Sequence, residues 1–241
     1  EREQVRQALP QVLVVDMPPF PFLYRQALEN LNDFNVLALT EEDKQRGEMY
    51  YARKRRKELQ ESKTSLEDFL RSLEMKVAIK RDDRFNLPRI ASLVNKTNQF
   101  NLTTHRYTEP EIMEMMDKKD AFSVYSLRVV DKFGDEGIVG VAIIRKEPKT
   151  WILDSFLMSC RVIGRKAETA FLAKIVADAK NSGVSTLVGE YIPTKKNAPA
   201  MSFYGDHGFT KFQEQGGLSG WRLDLKRSTV KMPEWVEVMH E

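Results

Sequence analysis

The sequence predicts an α/β protein built on a mixed central sheet. From Lys76 onward, stretches of period-two hydrophobicity alternate with stretches of helical period. Three successive strand patterns are joined by links short enough for antiparallel hairpins, and the third runs through a glycine-containing turn directly into a helix. The composition of the 241 residues, 41% hydrophobic and 30% charged, suits one large folded domain or two small ones.

Taken in order, residues 1–9 read as a helix with Val5 and Leu9 on one face, and Val12 to Val15 as a short buried strand. The Pro18-Pro19-Phe20-Pro21 cluster breaks the chain before a helix from Phe22 to Leu31. Thr40-Glu41-Glu42-Asp43 resembles a capping box and opens a long helix to about Glu61, and Ser65 caps another that ends at Leu73. Val77 and Ile79 alternate in the first strand of a new domain. Two helices follow, one after Pro88 carrying Ile90, Leu93 and Val94 and one from Glu109 to Lys119, with Asn98 to Asn101 in the loop between them. Strands are expected at Phe122–Val130, Gly137–Arg145 and Trp151–Ser159. After Cys160 comes a helix through Ala167, Phe171 and Ile175, closed by Gly183. A strand at Leu187–Gly189, a helix from Pro199 to His207 and a last strand pair, Phe209–Phe212 with Trp221–Leu225, complete the order βααβββαβαββ.

A formal charge of +3, from 38 basic and 35 acidic residues, gives no field that would gather nucleic acid or an anionic membrane. The basic run Arg53-Lys54-Arg55-Arg56-Lys57 reads as a solvated helix face before it reads as a phosphate contact. No apolar run reaches the roughly 20 residues that span a bilayer, so a cytoplasmic location is expected. Cys160 is the only cysteine, and His105, His207 and His240 are scattered, so no metal site is expected.

Arg161-Val162-Ile163-Gly164-Arg165-Lys166 joins a strand to a helix, where orphan backbone N–H groups and the helix dipole favour an anion. Gly164 allows close backbone approach and three side chains add positive charge; a plain turn with surface basics is the alternative. Cys160 just before this turn is either a thiol with lowered pKa, suited to an acyl relay, or a small buried core residue. Asn98, Gln99 and Asn101 offer amides to a hydroxylated acyl group, His105 and Arg106 to a carboxylate or phosphate, and Glu190 is a candidate base.

The turn, with Arg161 and Gly164, resembles the acyl-CoA-binding loop of GNAT proteins, although Lys166 stands where that family has Gly or Ala. Asn197, Ala200, Phe203, Tyr204, Gly208 and Phe209 resemble the family's N-x-x-A-x-x-[LF]-Y-x-x-x-G-F segment. The resemblance implies a GNAT-like fold in which Leu157, Met158 and Ser159 pair with a pantetheine arm, the residues 161–166 hold its phosphates and Asn197 assists. It also implies that Tyr204 protonates the departing thiolate, unless Tyr204 merely packs in the last helix.

A narrower resemblance covers nearly the whole chain. Asn95 to Tyr107, Asp154 to Arg165, Gly189 to Tyr191, Pro193-Thr194 and Lys196 to Pro199 are similar to the signature segments of FkbH-like proteins. These join a phosphatase-like domain of the HAD superfamily, subfamily IIIC, to a GNAT-like domain, and some load a three-carbon glyceryl or lactyl unit onto an acyl carrier protein for polyketide-type biosynthesis. The resemblance implies a HAD remnant at 1–39, a helical connector at 40–75, the GNAT-like domain at 76–227 and a tail at 228–241. CoA or carrier phosphopantetheine is then the cofactor, and the carrier protein and an upstream HAD domain are the partners. Asp16 lacks a D-x-D-x-T context, so no phosphatase activity is expected here. The readings from other classes are a noncatalytic carrier-docking module and a conventional acetyl-CoA-dependent N-acetyltransferase.

Overall fold

The computed structural model describes residues 1–31 and 41–239, with no description of the side chains of 41–46 and 48. Thr40, at the expected helix cap, and His240 lie outside the described residues. The chain divides into two compact units, Glu1–Glu48 and Met49–Glu241. The first contains helix α1 (Arg2–Ala8), a 3-10 turn at Pro21–Leu23 and helix α2 (Tyr24–Glu29). The strand expected at Val12 to Val15 is not formed, and Val12 and Leu13 are exposed. A strand needs a neighbour for its backbone groups, and none of the described residues pairs with this one.

Helix α3 (Glu41–Glu61) and helix α4 (Leu66–Ser72) precede the sheet. Ser65 caps α4 as the sequence suggests, its hydroxyl accepting the Asp68 N–H at 3.1 Å. Phe69, Leu70 and Leu73 enter the same core as the sheet, so the segment expected as a connector is divided, its later part packing within the second unit.

The sheet comprises β1 (Met75–Arg81), β2 (Phe100–Asn101), β3 (Phe122–Asp131), β4 (Gly134–Lys146), β5 (Thr150–Met158), β6 (Thr186–Tyr191), β7 (Thr210–Gln215), β8 (Leu218–Asp224) and β9 (Val236–Val238). Their spatial order is β7-β8-β6-β5-β4-β3-β1-β9, with β2 added on β5. Most pairs are antiparallel; β5 with β6 and β1 with β9 are parallel. Helices α5 (Leu87–Lys96) and α6 (Glu109–Asp117) bury Ile90, Val94, Ile112 and Met116 against one sheet face. The other face is covered by α7 (Ala167–Asn181), through Ala170, Phe171, Ile175 and Ala179, and by the short α8 (Phe203–Asp206). Gly183 takes φ +74° and ends α7 in the left-handed conformation that glycine adopts without steric cost.

Two strands depart from the order read in the sequence. Phe100–Asn101, expected as loop, forms β2, and the expected tail supplies β9, whose Val236 pairs beside Met75. The helix expected over Pro199–His207 is split into a 3-10 turn at Ala198–Ala200 and α8. No helix among the described residues is long and apolar enough to cross a membrane.

Candidate active site

The parallel pairing of β5 and β6 runs from Thr150/Thr186 to Leu153/Gly189 and stops there. At the next residue, Asp154, β5 carries a bulge against β4: Ile144 faces Leu153 while Ile143 faces Ser155. A bulge bends its strand and strengthens the local twist, so β5 and β6 splay into a wedge that widens toward Met158 and the turn beyond it.

That turn begins as a 3-10 segment, Cys160–Val162, and reaches α7 through Gly164 at φ +83° and Lys166 at φ +61°. Lys166, the departure from the Gly-or-Ala pattern, adopts the left-handed conformation that glycine, unlike alanine or lysine, accommodates without steric cost. Cys160 is exposed. Val162 is buried in the core, Ile163 packs against it, and Ser159 donates its N–H to Val139 C=O at 2.6 Å. Arg161 is half-buried, with one guanidinium nitrogen 2.9 Å from the Met49 sulfur. Nearby, Arg89 donates to Ile138 C=O at 3.1 Å; burial lowers its pKa, and Arg161 adds to the shift.

Arg165 was expected to offer its charge to a ligand. Instead its guanidinium is buried between Asp131 at 3.1 Å and Glu136 at 3.2 Å, and it donates back to Arg161 C=O, closing the turn from within. Arg56 completes this cluster, reaching Asp131 at 2.6 Å and Glu136 at 2.6 Å. The basic run is therefore not wholly a solvated face. Arg56 lies on a stripe with Met49, Ala52 and Leu59, at helical spacing, that turns toward the domain. In the first turn of α7, Glu168 is half-buried; burial raises its pKa, while its own backbone N–H and Lys166 oppose the shift. The cations of the turn outside this buried cluster are thus the half-buried Arg161 and the exposed Lys166.

The wedge itself is filled. Leu157 and Met158 pair with Val141 and Gly140 of β4 on one edge, and with Asn101 and Phe100 of β2 on the other. The expectation that they present an open edge to pantetheine is not met in this arrangement, because the chain's own backbone occupies it. The filling segment continues along the wedge. Leu102 donates its N–H to Phe156 C=O at 3.1 Å and accepts from Ile192 N–H at 2.8 Å. The Thr103 hydroxyl donates to Asp154 C=O at 2.8 Å. Asn197, fully buried, donates its amide to Asn101 C=O at 2.8 Å and accepts from the Thr194 N–H at 2.7 Å. The side chain implied as a cofactor contact thus holds this strap.

The remaining candidates are scattered around the wedge. The Asn101 side chain bridges Thr97 C=O and the Thr104 N–H, so it folds the strap instead of facing a ligand. Gln99 is exposed. Asn98 and Arg106 meet at 2.5 Å and line a pocket of about 330 Å³ together with Thr104, Thr194, Lys195 and Lys196. Arg106 also caps the end of α5 through Val94 and Thr97 C=O. Glu190 is half-buried one residue past the last β5–β6 pair.

Tyr204 is fully buried, stacked on Trp221 and donating its hydroxyl to Glu190 C=O at 3.4 Å. Burial, with a smaller contribution from Glu190, raises its pKa far above the ordinary phenol value. The core position considered in the sequence is the one it holds.

Asp154 carries chemistry that sequence reasoning missed. Its carboxylate accepts from the Tyr107 hydroxyl at 2.9 Å and the Ser155 hydroxyl at 3.0 Å, and lies 3.5 Å from His105 Nδ1. Burial raises the Tyr107 pKa and Asp154 adds to it, so the phenol stays a donor. The available signal was a lone carboxylate in the otherwise apolar or neutral Trp151–Met158.

No known protein-family model matches the chain, and no curated protein matches it. Among solved structures, the chain is similar to the PaiA N-acetyltransferase of Thermoplasma acidophilum in complex with coenzyme A: 11% identity, 61% of this chain and 98% of that chain covered, TM-score 0.51. The chain has a GNAT fold. A domain from Methanocaldococcus jannaschii is similar at 10% identity, with 62% of this chain and 99% of that chain covered and a TM-score of 0.50. An acetyltransferase of the GNAT family from Streptococcus pneumoniae shows 16% identity, 61% and 98% coverage and a TM-score of 0.48. In this GNAT fold, β5 and β6 are the strands that splay, and the Arg161–Lys166 turn lies between the first of them and α7.

Proposed function

We propose that the GNAT-fold unit binds the pantetheine arm of an acyl thioester, carried by CoA or by an acyl carrier protein, and transfers its acyl group. The observation that carries this reading is the wedge between β5 and β6, which opens at the Asp154 bulge toward the Gly164 turn and the α7 N-terminus. Where the chain's own backbone vacates that edge, an extended amide-rich arm can pair with β5 while its phosphate meets Arg161, Lys166 and the helix end. That the Thermoplasma acidophilum neighbour is a complex with coenzyme A agrees with this use of the fold.

In this reading the exposed Cys160 is the relay. Its thiolate attacks the thioester carbonyl, a new C–S bond forms, and the donor thiol leaves and takes up a proton. The acceptor thiol releases its proton to solvent, offsetting the one the donor took up, and its thiolate attacks the acyl-Cys160 carbonyl and returns the Cys160 thiolate, one thioester replacing another at each step. The sequence similarity to FkbH-like proteins favours a carrier protein as acceptor, a three-carbon acyl unit and an upstream HAD domain as partner. The filled wedge favours a second reading, a noncatalytic module that docks the carrier.

Incubation with an acyl-CoA or acyl-carrier donor should add one acyl mass that hydroxylamine removes and Cys160→Ser abolishes. Calorimetry should show CoA binding weakened by Gly164→Val. Full acyl transfer by Cys160→Ser would reject the relay, and transfer by neither protein would favour docking. Equal CoA binding by wild type and Gly164→Val would remove the turn from the site.

A further inference from the structure

We propose that the segment Asn98–Thr104 is an internal competitor for the pantetheine arm, so that ligand binds only when this strap leaves the wedge. The proposal rests on the acyl-transfer reading and adds its regulation. The strap meets the hydrogen-bonding edge of β5 from the wide end to the bulge: Phe100 opposite Met158, Asn101 opposite Leu157, Leu102 on Phe156 and Thr103 on Asp154. Asn197 and the Ile192 N–H supply donors from the opposite bank. The strap is therefore an extended polyamide bound by the donors and acceptors that another extended polyamide would need, and the two cannot occupy the edge together.

Its anchoring combines core burial with a locally pinned turn. Phe100 and Leu102 are buried in the core beside Phe156 and Phe203, while the strap's turn is pinned by Asn101 through Thr97 and Thr104. Thr104 is held at φ +58°, a conformation unfavourable for a β-branched residue. At the strap's two ends, Asn98 and Thr104 line the pocket whose other bank is Thr194, Lys195 and Lys196. Displacement would therefore begin at a solvent-facing rim.

The test uses the full chain and calorimetric titration with coenzyme A and with holo carrier protein. Asn101→Ala removes both side-chain pins and leaves the backbone pairing possible; it should tighten binding by about tenfold, because a larger open fraction raises apparent affinity. A lock is built as Phe100→Cys/Met158→Cys in a Cys160→Ser background, since facing residues of an antiparallel pair lie within disulfide reach. The oxidised lock should bind neither ligand, and reduction of the same sample should restore binding. Saturating coenzyme A should also raise amide exchange in residues 100–102 of the wild type. Equal binding by the oxidised and reduced lock, or no gain from Asn101→Ala, overturns the competitor while leaving pantetheine binding intact. If wild type, Asn101→Ala and the reduced lock all bind neither ligand, the acyl-transfer reading fails and the competitor falls with it.

Discussion

Replacing Arg56 by methionine tests the linkage between helix α3 and the turn before α7. Arg56 is nearly fully buried and makes contacts of 2.6 and 2.9 Å to Asp131 and 2.6 Å to Glu136. Methionine keeps much of the volume and removes the charge. Two buried carboxylates would then share Arg165 alone, at 3.1 and 3.2 Å. Breaking one partner out of a buried ion cluster costs about 3–5 kcal/mol. For a domain of this size that is a fall in Tm of about 6–20 °C. The assay is urea unfolding and thermal melting of wild type, Arg56→Met and Arg56→Met/Glu136→Gln. The double variant leaves one buried pair, Arg165 with Asp131, and should recover a substantial part of the loss. A cost below about 1 kcal/mol for Arg56→Met, the behaviour of an exposed ion pair, would refute the cluster. So would a double variant no more stable than the single one.

Two further outcomes follow from the same region. Lys166 sits at φ +61°; Lys166→Gly should remove about 1–2 kcal/mol of left-handed strain, partly offset by about 0.4–1 kcal/mol of extra unfolded-chain freedom, and a lower Tm in the variant would contradict the assignment. His207 is half-buried, its Nδ1–H donating to Phe203 C=O at 2.6 Å and its Nε2 accepting from the Thr169 hydroxyl at 2.9 Å. Desolvation lowers its pKa from 6.5; Lys166 lowers it further, while the Phe203 carbonyl and Asp206 oppose this. A depressed histidine makes the unfolded chain the better proton acceptor, so its contribution is present above about pH 6.5 and is lost below it, by at most about 1.4 kcal/mol per pH unit. Urea unfolding between pH 5 and 7.5 should show this loss in wild type and not in His207→Gln; parallel curves would refute it.

The larger elements were legible because each repeats its period several times. Val77 and Ile79, the hairpin-linked strands, and Ala170, Phe171 and Ile175 of α7 all lie where their patterns place them. The strap was not legible. Two residues, Phe100 and Asn101, are too few to show alternation, and their partners Leu157 and Met158 lie more than fifty positions away. Arg56 was masked by its neighbours: four other cations surround it, and only its phase relative to Met49, Ala52 and Leu59 distinguishes it. Of the candidate site, the Gly164 turn lies between β5 and α7 as the sequence order places it, the apolar neighbours of Cys160 leave its exposure open in the sequence, and Arg165, Asn197 and Asn101 hold the chain to itself. A side chain with several donors suits a ligand and a neighbouring carbonyl equally well, and sequence does not say which is nearer.

The extra residue at Asp154 has a bearing on which changes the strand can absorb. Leu153, Phe156 and Met158 belong to one core although three positions separate the first two, and Leu157 faces the other. In an uninterrupted strand Leu153 and Phe156 would point to opposite faces. Strand length and pairing together therefore set the faces at this point, and side-chain identity does not: an alanine in place of Asp154 leaves every later residue on its own side. Regular pairing with Asp154 retained would reverse Phe156, Leu157 and Met158 together, whereas deleting Asp154 along with the bulge keeps each of them on its present face. Single-residue insertions between Leu153 and Phe156 should accordingly be far rarer among functional variants than deletion of Asp154.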